Sequence, residues 1–381
     1  MPTSKFKRPR LPSHYYIWFE PPDHKGDEVL RFASRRRRIK LKGHSFREFQ
    51  QMVIPLLDGR HTLSEIETEV ADVFAPEDLE VGLELLAEHN LLQEADGEKL
   101  SADAASRLAP QSNFFHEMEM NEEQMQDRLD NATVTIFGLG GAGAGVAQAL
   151  AAAGVGKLRC FDSEAVGPAD TYLSPLFTQA DIADLRTEVV TRRIRESSPD
   201  VNFSTSTQVP ENDDEVLALI AGSDLVLCCL DEGQSSLIYK LNRACLKANI
   251  RWSSCLPAGN EVIIGPTVVP FETPCFLCYK MRTVATAGNP EEEFNYETFL
   301  DRRKQDDTGR RENLVFGVGI AANLLSLEAL KALSQSLTPS ATGKIIVLDL
   351  ITLESVKHVV LRKPWCPACF KAEAKTRTAG C

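Results

Sequence analysis

The sequence predicts an α/β protein with a mostly parallel sheet and a four-cysteine metal site, preceded by a small winged-helix-like α+β domain. Three observations predict it. From Ala132 onward, strand-length apolar runs alternate with helical patterns, as they do in parallel sheets covered by helices. Gly138-Leu-Gly140-Gly141-Ala-Gly143 lies directly between one such strand and one such helix. Cys275-x-x-Cys278 and Cys366-x-x-Cys369 supply two paired-thiol knuckles.

Taken in order, residues 1–12 are basic and punctuated by proline, and predict a loose start. Residues 15–20 (YYIWFE) read as a strand, and residues 28–42 as one long or two short strands. Ser45-x-x-Glu48 predicts a capping box opening a helix with Phe46, Phe49, Val53 and Leu56 on one face. Thr62-x-x-Glu65 predicts a second, with Ile66, Val70 and Phe74 inward. Pro76 opens a third, carrying Leu79, Leu83 and Leu86. These elements make residues 1–95 the small domain. Residues 96–130 are polar and read as a linker with some helix, 131–372 as the large domain, and 373–381 as a flexible tail. In the large domain, strands are predicted at VTIFG, KLRCFD, VNFSTST and DLVLCCL, with helices at GVAQALAAAG and over 179–197. Residues 284–314 are strongly polar and predict a long mobile excursion.

The chain has 381 residues, 43% of them apolar and 25% charged, too many for one compact core. Ten cysteines, four of them in CxxC pairs, fit metal ligation in a reducing compartment better than a disulfide framework. No apolar run approaches the roughly 18 residues of a membrane span and no signal-like segment opens the sequence, so a cytoplasmic protein that does not engage membranes is expected. The net charge of −12 is uneven: residues 1–47 carry +9 and the remainder −21. The basic end is either a surface for an anionic partner or a solvated strand.

The glycine motif is where a backbone turns tightly and approaches a phosphate at a helix N-terminus, and Asp162, ending the next strand, can accept hydrogen bonds from a ribose. That context predicts a Rossmann-like fold. Four thiolates in two CxxC pairs, each beside a proline, match tetrahedral zinc with no open position, hence a structural site. Cys160, Cys228, Cys229, Cys245 and Cys255 read as core positions, and Cys381 as incidental. The seven histidines form no recognisable catalytic arrangement.

The stretch GLGGAGAGVAQALAAAGVGKLRCFD, with LVLCCLDEGQSS, TPCFLC and the closing CPAC, is similar to the ThiF/MoeB/HesA family, relatives of ubiquitin-activating enzymes, over about residues 132–370. The resemblance implies a ThiF-type domain whose GxGGxG loop (Gly138, Gly140, Gly141, Gly143) binds ATP for carboxylate adenylation, with Asp162, and with Asp231 holding magnesium and ATP. The family's phosphate-binding lysine corresponds to Arg186. Its SNLxRQ stretch departs here: Asp170 stands at the asparagine, and Tyr172 or nothing at the arginine. Losing one of two cations removes charge-assisted bonds worth roughly 1.5–3 kcal/mol each, so ATP binding is expected to be weak or vestigial and the glycine loop to serve packing. NAD-dependent hydride transfer is disfavoured by the doubled glycine and the CxxC pairs.

Residues 1–95 resemble the PqqD-like peptide-recognition domain of ribosomal-peptide maturation proteins, which binds a leader peptide as an added strand. With the pairing edge near Val29 to Leu41, Arg35, Arg36, Arg37 and Arg38 would steer an acidic leader. A winged-helix DNA binder competes, but the third helix is acidic and repels phosphate, so no nucleic acid is expected. The segments GPTVVPFETPCFLC and VVLRKPWCPAC resemble the leader-binding partner proteins of thiazole/oxazole-modified microcin cyclodehydratases. That resemblance implies a subunit, non-catalytic in that group and allowing a homodimer, that presents a precursor to a separate YcaO enzyme for ATP-dependent azoline formation. The alternative is a self-sufficient adenylating enzyme resembling the pantocin or microcin C type, in which Asp162, Asp231 and Arg186 serve ATP directly. A sulfur-carrier activator ranks third.

Overall fold

A computed structural model describes residues 6–20, 28–95, 102–231, 233–302 and 312–370. It divides into two compact units, Met1–Gln126 and Asp127–Cys381.

In the first unit, β1 (Pro9–Arg10) precedes a three-stranded antiparallel sheet of β2 (Tyr16–Glu20), β3 (Glu28–Ala33) and β4 (Arg38–Gly43), in the order β2-β3-β4. Residues 28–42 are thus two strands, turning where the Ser34 amide donates to the Arg37 carbonyl at 3.0 Å. Leu30, Phe32 and Leu41 alternate inward.

The expected capping box at Ser45 is not formed. Ser45 adopts a left-handed backbone (φ 59°) and caps nothing with its side chain. Instead the Glu28 carboxylate, at the start of β3, accepts from the amides of Phe46 (2.7 Å) and Arg47 (3.3 Å). A strand-borne carboxylate satisfies the same orphan donors with a full charge. Helix α1 (Phe46–Glu48) then widens into a π turn (Phe49–Val53) and a 3-10 turn (Ile54–Leu56) containing Pro55, which has no N–H to give the preceding turn. The altered winding buries Leu57 where the periodicity pointed to Leu56.

The second box forms as expected. Thr62 Oγ1 accepts from the Glu65 amide at 3.2 Å, and Glu65 Oε2 from the Thr62 amide at 2.7 Å, opening α2 (Leu63–Val70). Helix α3 (Pro76–Glu88) follows, and β5 (Gln93–Glu94) pairs with β1. Ile66, Val70, Phe74, Leu79, Leu83 and Leu86 share one core with the sheet. The expected linker is mostly helical: α4 (Ala102–Glu117) and α5 (Glu122–Asp130) bury Leu108, Phe115, Met125 and Leu129, and the division between units falls within α5.

The second unit is an eight-stranded sheet. Strand β6 (Thr133–Phe137) leads through α6 (Gly141–Ala152) to β7 (Lys157–Phe161). The chain then passes α7 (Asp170–Leu173) and α8 (Arg186–Ser197) to β8 (Asn202–Ser206), and α9 (Asp213–Ile220) to β9 (Leu225–Cys228). Helix α10 (Ser235–Ala248) leads to β10 (Arg251–Ala258), which turns into β11 (Glu261–Ile264). Strands β8-β7-β6-β9-β10 run parallel. Helices α11 (Phe276–Thr286), α12 (Pro290–Arg302) and α13 (Val315–Ser334) come next, and β12 (Lys344–Asp349) and β13 (Ser355–Val359) extend the sheet antiparallel beyond β11. The stretch expected to be a mobile excursion contains α12, and residues 303–311 of it lie outside the described residues, as does the predicted tail from residue 373. Helix α13 is long and apolar enough to cross a membrane by composition, contrary to the sequence expectation. It is half buried against α6, β10 and β11, with Glu328 bonded to Lys331 and to the Ala341 amide, as in a core helix.

Candidate nucleotide site and four-cysteine centre

Strand order places β7 and β8 on one side of β6 and β9 on the other, so the chain reverses direction across the sheet between β6 and β9. A crevice at the carboxyl ends of such strands is where open α/β sheets bind ligands. The glycine loop leaves β6 there. Gly138 has φ +89°, and its amide donates to the Phe161 carbonyl at 2.8 Å. Ala144 returns its N–H to the Gly140 carbonyl at 2.9 Å, which leaves the amides of 141–143 as the first-turn donors of α6. A Cβ at Gly140 would lie 2.8 Å from Asp231 Oδ1, and one at Gly141 2.9 Å from Val318. A Cβ at Gly138 or Gly143 would meet backbone, so those two glycines are demanded by the loop's own packing, with or without a nucleotide.

Asp162, following β7, accepts from the amides of Leu139 (2.6 Å) and Glu164 (2.7 Å). Burial raises its pKa above the ordinary carboxylate value, against the opposing pull of Arg186 and those amides. Arg186, at the first position of α8, is 3% exposed. Its Nε and Nη2 meet both oxygens of Asp170 at 3.0–3.1 Å, and its Nη1 meets Asp231 Oδ2 at 3.1 Å and Asp162 Oδ2 at 3.4 Å. Burial would lower the guanidinium's pKa, but Asp231, Asp162 and Asp170 outweigh it and raise the value, so the cation is held charged. The structure thus brings together Gly138, Gly140, Gly141, Gly143, Asp162, Arg186 and Asp231. It adds Asp170, 1% exposed, whose substitution for asparagine was legible but whose two-point grip on Arg186 was not. Tyr172 is 55% exposed.

The residues fit the sugar end of a nucleotide, since Asp162 retains acceptor capacity beyond its two amide bonds and its contact with Arg186. Around Arg186, three carboxylates meet one guanidinium among the described residues, a surplus of two negative charges. Helix α12, unforeseen in the sequence, packs against the segment that follows Asp231. Asp301 accepts from the amides of Ser235 (2.8 Å) and Ser236 (2.9 Å) at the start of α10, and a Cβ at Gly233 would lie 2.8 Å from the Leu300 carbonyl oxygen.

Cys275, Cys278, Cys366 and Cys369 are buried, with their four sulfurs within 4.8 Å of one another. The separations of Cys275–Cys278, Cys275–Cys366 and Cys278–Cys369 are 3.9, 3.8 and 3.5 Å. A tetrahedron with zinc–sulfur bonds of about 2.3 Å has edges of about 3.8 Å, so the cluster is consistent with a zinc site. Burial pushes the Cys275 and Cys369 thiols up, whereas at Cys366 burial is outweighed by the amides of Cys369 and Ala368, which lower the value. The Lys363 amide lies 3.4 Å from Cys278 Sγ, and buried Asn242 of α10 accepts from the Phe276 amide at 3.0 Å, fixing the first knuckle. Cys160, Cys228, Cys229, Cys245 and Cys255 are buried, as expected of core thiols, and Cys381 lies outside the described residues.

Arg35–Arg38 lie in the β3–β4 turn and at the start of β4, with Arg35, Arg36 and Arg38 exposed and Arg37 Nη2 donating to the His89 carbonyl at 3.1 Å. Strand β3, containing Val29, is central, so the pairing edge cannot run along it. Among the described residues, the sheet's edges are β2 and β4.

A model of the ThiF family matches residues 112–368. The molybdopterin-synthase adenylyltransferase of Salmonella typhimurium is 27% identical over 244 residues, 64% of this chain and 89% of that protein. The sulfur carrier protein ThiS adenylyltransferase of Escherichia coli is 29% identical over 254 residues, 65% of this chain and 90% of that protein. Among solved structures, the microcin C7 biosynthetic enzyme MccB in complex with N-formylated MccA superposes with a TM-score of 0.64 at 18% identity, over 95% of this chain and 99% of that one. E. coli MccB with ATP gives 0.63 at 18% identity, again over 95% and 99%.

Proposed function

The chain belongs to the ThiF family, and from that premise we propose that it is an adenylating enzyme of ribosomal-peptide maturation, of the microcin type, that activates a carboxyl group of a precursor peptide with ATP. The observation that carries this reading is the meeting of the glycine loop, Asp162, Arg186 and Asp231 at the strand-order reversal. Two comparisons support it: curated relatives are adenylyltransferases by name, and MccB, by its descriptions a microcin C7 biosynthetic enzyme, is seen in complex with N-formylated MccA and with ATP. In this role the first-turn amides of α6 face phosphate, Asp162 receives the ribose, and Asp231 holds the accompanying magnesium. The four cysteines hold one structural zinc that fastens the segment after β13 to the start of α11. A leader peptide adds to the β4 edge of the first unit, where Arg35–Arg38 speed the approach of acidic residues.

One observation favours a second reading, a subunit that presents the precursor to a YcaO enzyme. Arg186 already spends its donors on three carboxylates and has little left for phosphate. Precursor-dependent ATP–pyrophosphate exchange separates the two. Exchange by the purified chain, lost in Asp231→Ala, is expected for the adenylating enzyme. Turnover that appears only on adding a YcaO enzyme and survives Asp231→Ala would overturn that reading in favour of the presenting subunit.

A further inference from the structure

We infer that Asp170 is a lock on Arg186: it holds the guanidinium away from phosphate, and the site binds a nucleoside triphosphate strongly only when that pair loosens. The inference rests on the nucleotide-site reading above and names the residue that tunes it.

The argument is an accounting of donors and charges. A guanidinium offers five N–H groups. Here Nε and Nη2 are committed to Asp170 and Nη1 to Asp162 and Asp231. The planar, two-point grip on Asp170 is the geometry with which an arginine would otherwise hold a phosphate, so the two acceptors compete for the same edge. Asp170 is not free to swing aside. It is buried, and its Oδ2 also accepts from the Gly167 amide at 2.9 Å, which pins the carboxylate at the mouth of α7. Gly140 faces the Asp231 carboxylate, so among the described residues the loop meets a further negative charge there rather than a cation. Asparagine has nearly the same shape as aspartate and can still accept from Gly167. It lacks the charge and the second acceptor, so it releases a donor edge of Arg186 and cuts the surplus negative charge from two to one.

The test is MgATP binding to the full chain by isothermal titration, with adenosine as the comparison ligand. Asp170→Asn is expected to bind MgATP at least tenfold more tightly than the unmodified protein and adenosine no better, because the released group grips only phosphate. Asp170→Glu, which keeps the charge, should remain as weak as the parent, and Arg186→Gln in the Asp170→Asn background should erase the gain. Should Asp170→Asn fail to melt cooperatively, Asp170→Ser carries the same expectation. An unchanged MgATP affinity in the neutral variant, or a gain that survives loss of Arg186, overturns the lock. If the parent nonetheless shows precursor-dependent ATP–pyrophosphate exchange, the nucleotide reading stands without it. If no variant binds MgATP and no exchange is seen, both fall.

Discussion

A methyl group at Gly143 would overlap the carbonyl oxygen of Gly138, and one at Gly138 would sit 2.5 Å from the Cys229 carbonyl oxygen. Both neighbours are backbone and cannot step aside. Gly143→Ala is therefore expected to cost about 3 kcal/mol or more of stability in urea unfolding with no nucleotide present, beyond the usual range for an added methylene. Loss of ATP binding with full stability would instead make the glycine a ligand-contact residue only. His116 belongs to a different cluster, in the first unit, that the sequence did not announce. It is 3% exposed, and its Nδ1 meets Gln93 Nε2 at 2.6 Å. Nearby, His14 Nε2 pairs with Glu117 at 2.8 Å. Burial first, then the His14 and Arg37 charges, push the His116 pKa down from 6.5 to about 4. A depressed value means the unfolded chain takes up the proton first as pH falls. Stability is then complete above about pH 6.5 and declines towards pH 4, by ~3 kcal/mol at most. His116→Gln should flatten that decline in a pH series of melting temperatures. An unchanged slope would remove His116 from the account.

At the scale of elements, local signals were read correctly where the partner is local and missed where it is distant. Thr62 and Glu65 are three residues apart and form their box, so Thr62→Ala should cost about 1 kcal/mol in denaturant unfolding. A loss below a few tenths would show that Glu65 compensates alone. The Ser45 box failed because its competitor, Glu28, lies on a strand 18 residues away. Helix α12 was hidden for a similar reason. Its surface is polar, and what fixes it is Asp301 at the start of α10 and Glu297 against Lys280 and Tyr239. The cysteine knuckles were legible because ligand spacing is itself local, although their meeting across 91 residues is not. About one zinc per chain is expected by elemental analysis, with Cys275→Ser or Cys366→Ser losing both metal and stability. A folded, metal-free preparation would refute the assignment. Arg282 Nε donates to the Leu361 carbonyl at 2.6 Å, and Arg362 to those of Phe271 and Thr273, so the two segments are laced beyond the sulfurs. Chelation should therefore lower the melting temperature without unfolding the whole parallel sheet.

At the scale of the whole molecule, the alternation of strands and helices was legible from periodicity, and the glycine loop was legible as the turn between a strand and a helix. The extension of the sheet by three antiparallel strands was not, because β11 to β13 are short and β13 is exposed at every position. The lock on Arg186 was hidden for the same reason as Glu28: four residues from four parts of the chain meet only after folding. The distribution of charge, by contrast, needs no fold to be read. Residues 1–47 hold +9 and the rest of the chain −21, so an acidic leader drawn to the basic end is repelled elsewhere on the same molecule. Leader binding to the full chain should therefore weaken as salt rises, with most of the change in the association rate, because exposed charges guide encounter more than they hold the complex. Replacing Arg35, Arg36 and Arg38 by alanine should slow association several-fold, flatten the salt dependence and leave the dissociation rate nearly unchanged. The β4 edge supplies main-chain bonds, so a proline at Lys40, which removes an edge N–H, should instead speed dissociation. If stopped-flow measurements showed the arginine variant altering only the dissociation rate, the arginines would be contact residues and not a steering surface. If the proline had no effect on either rate, the leader would have to bind away from β4.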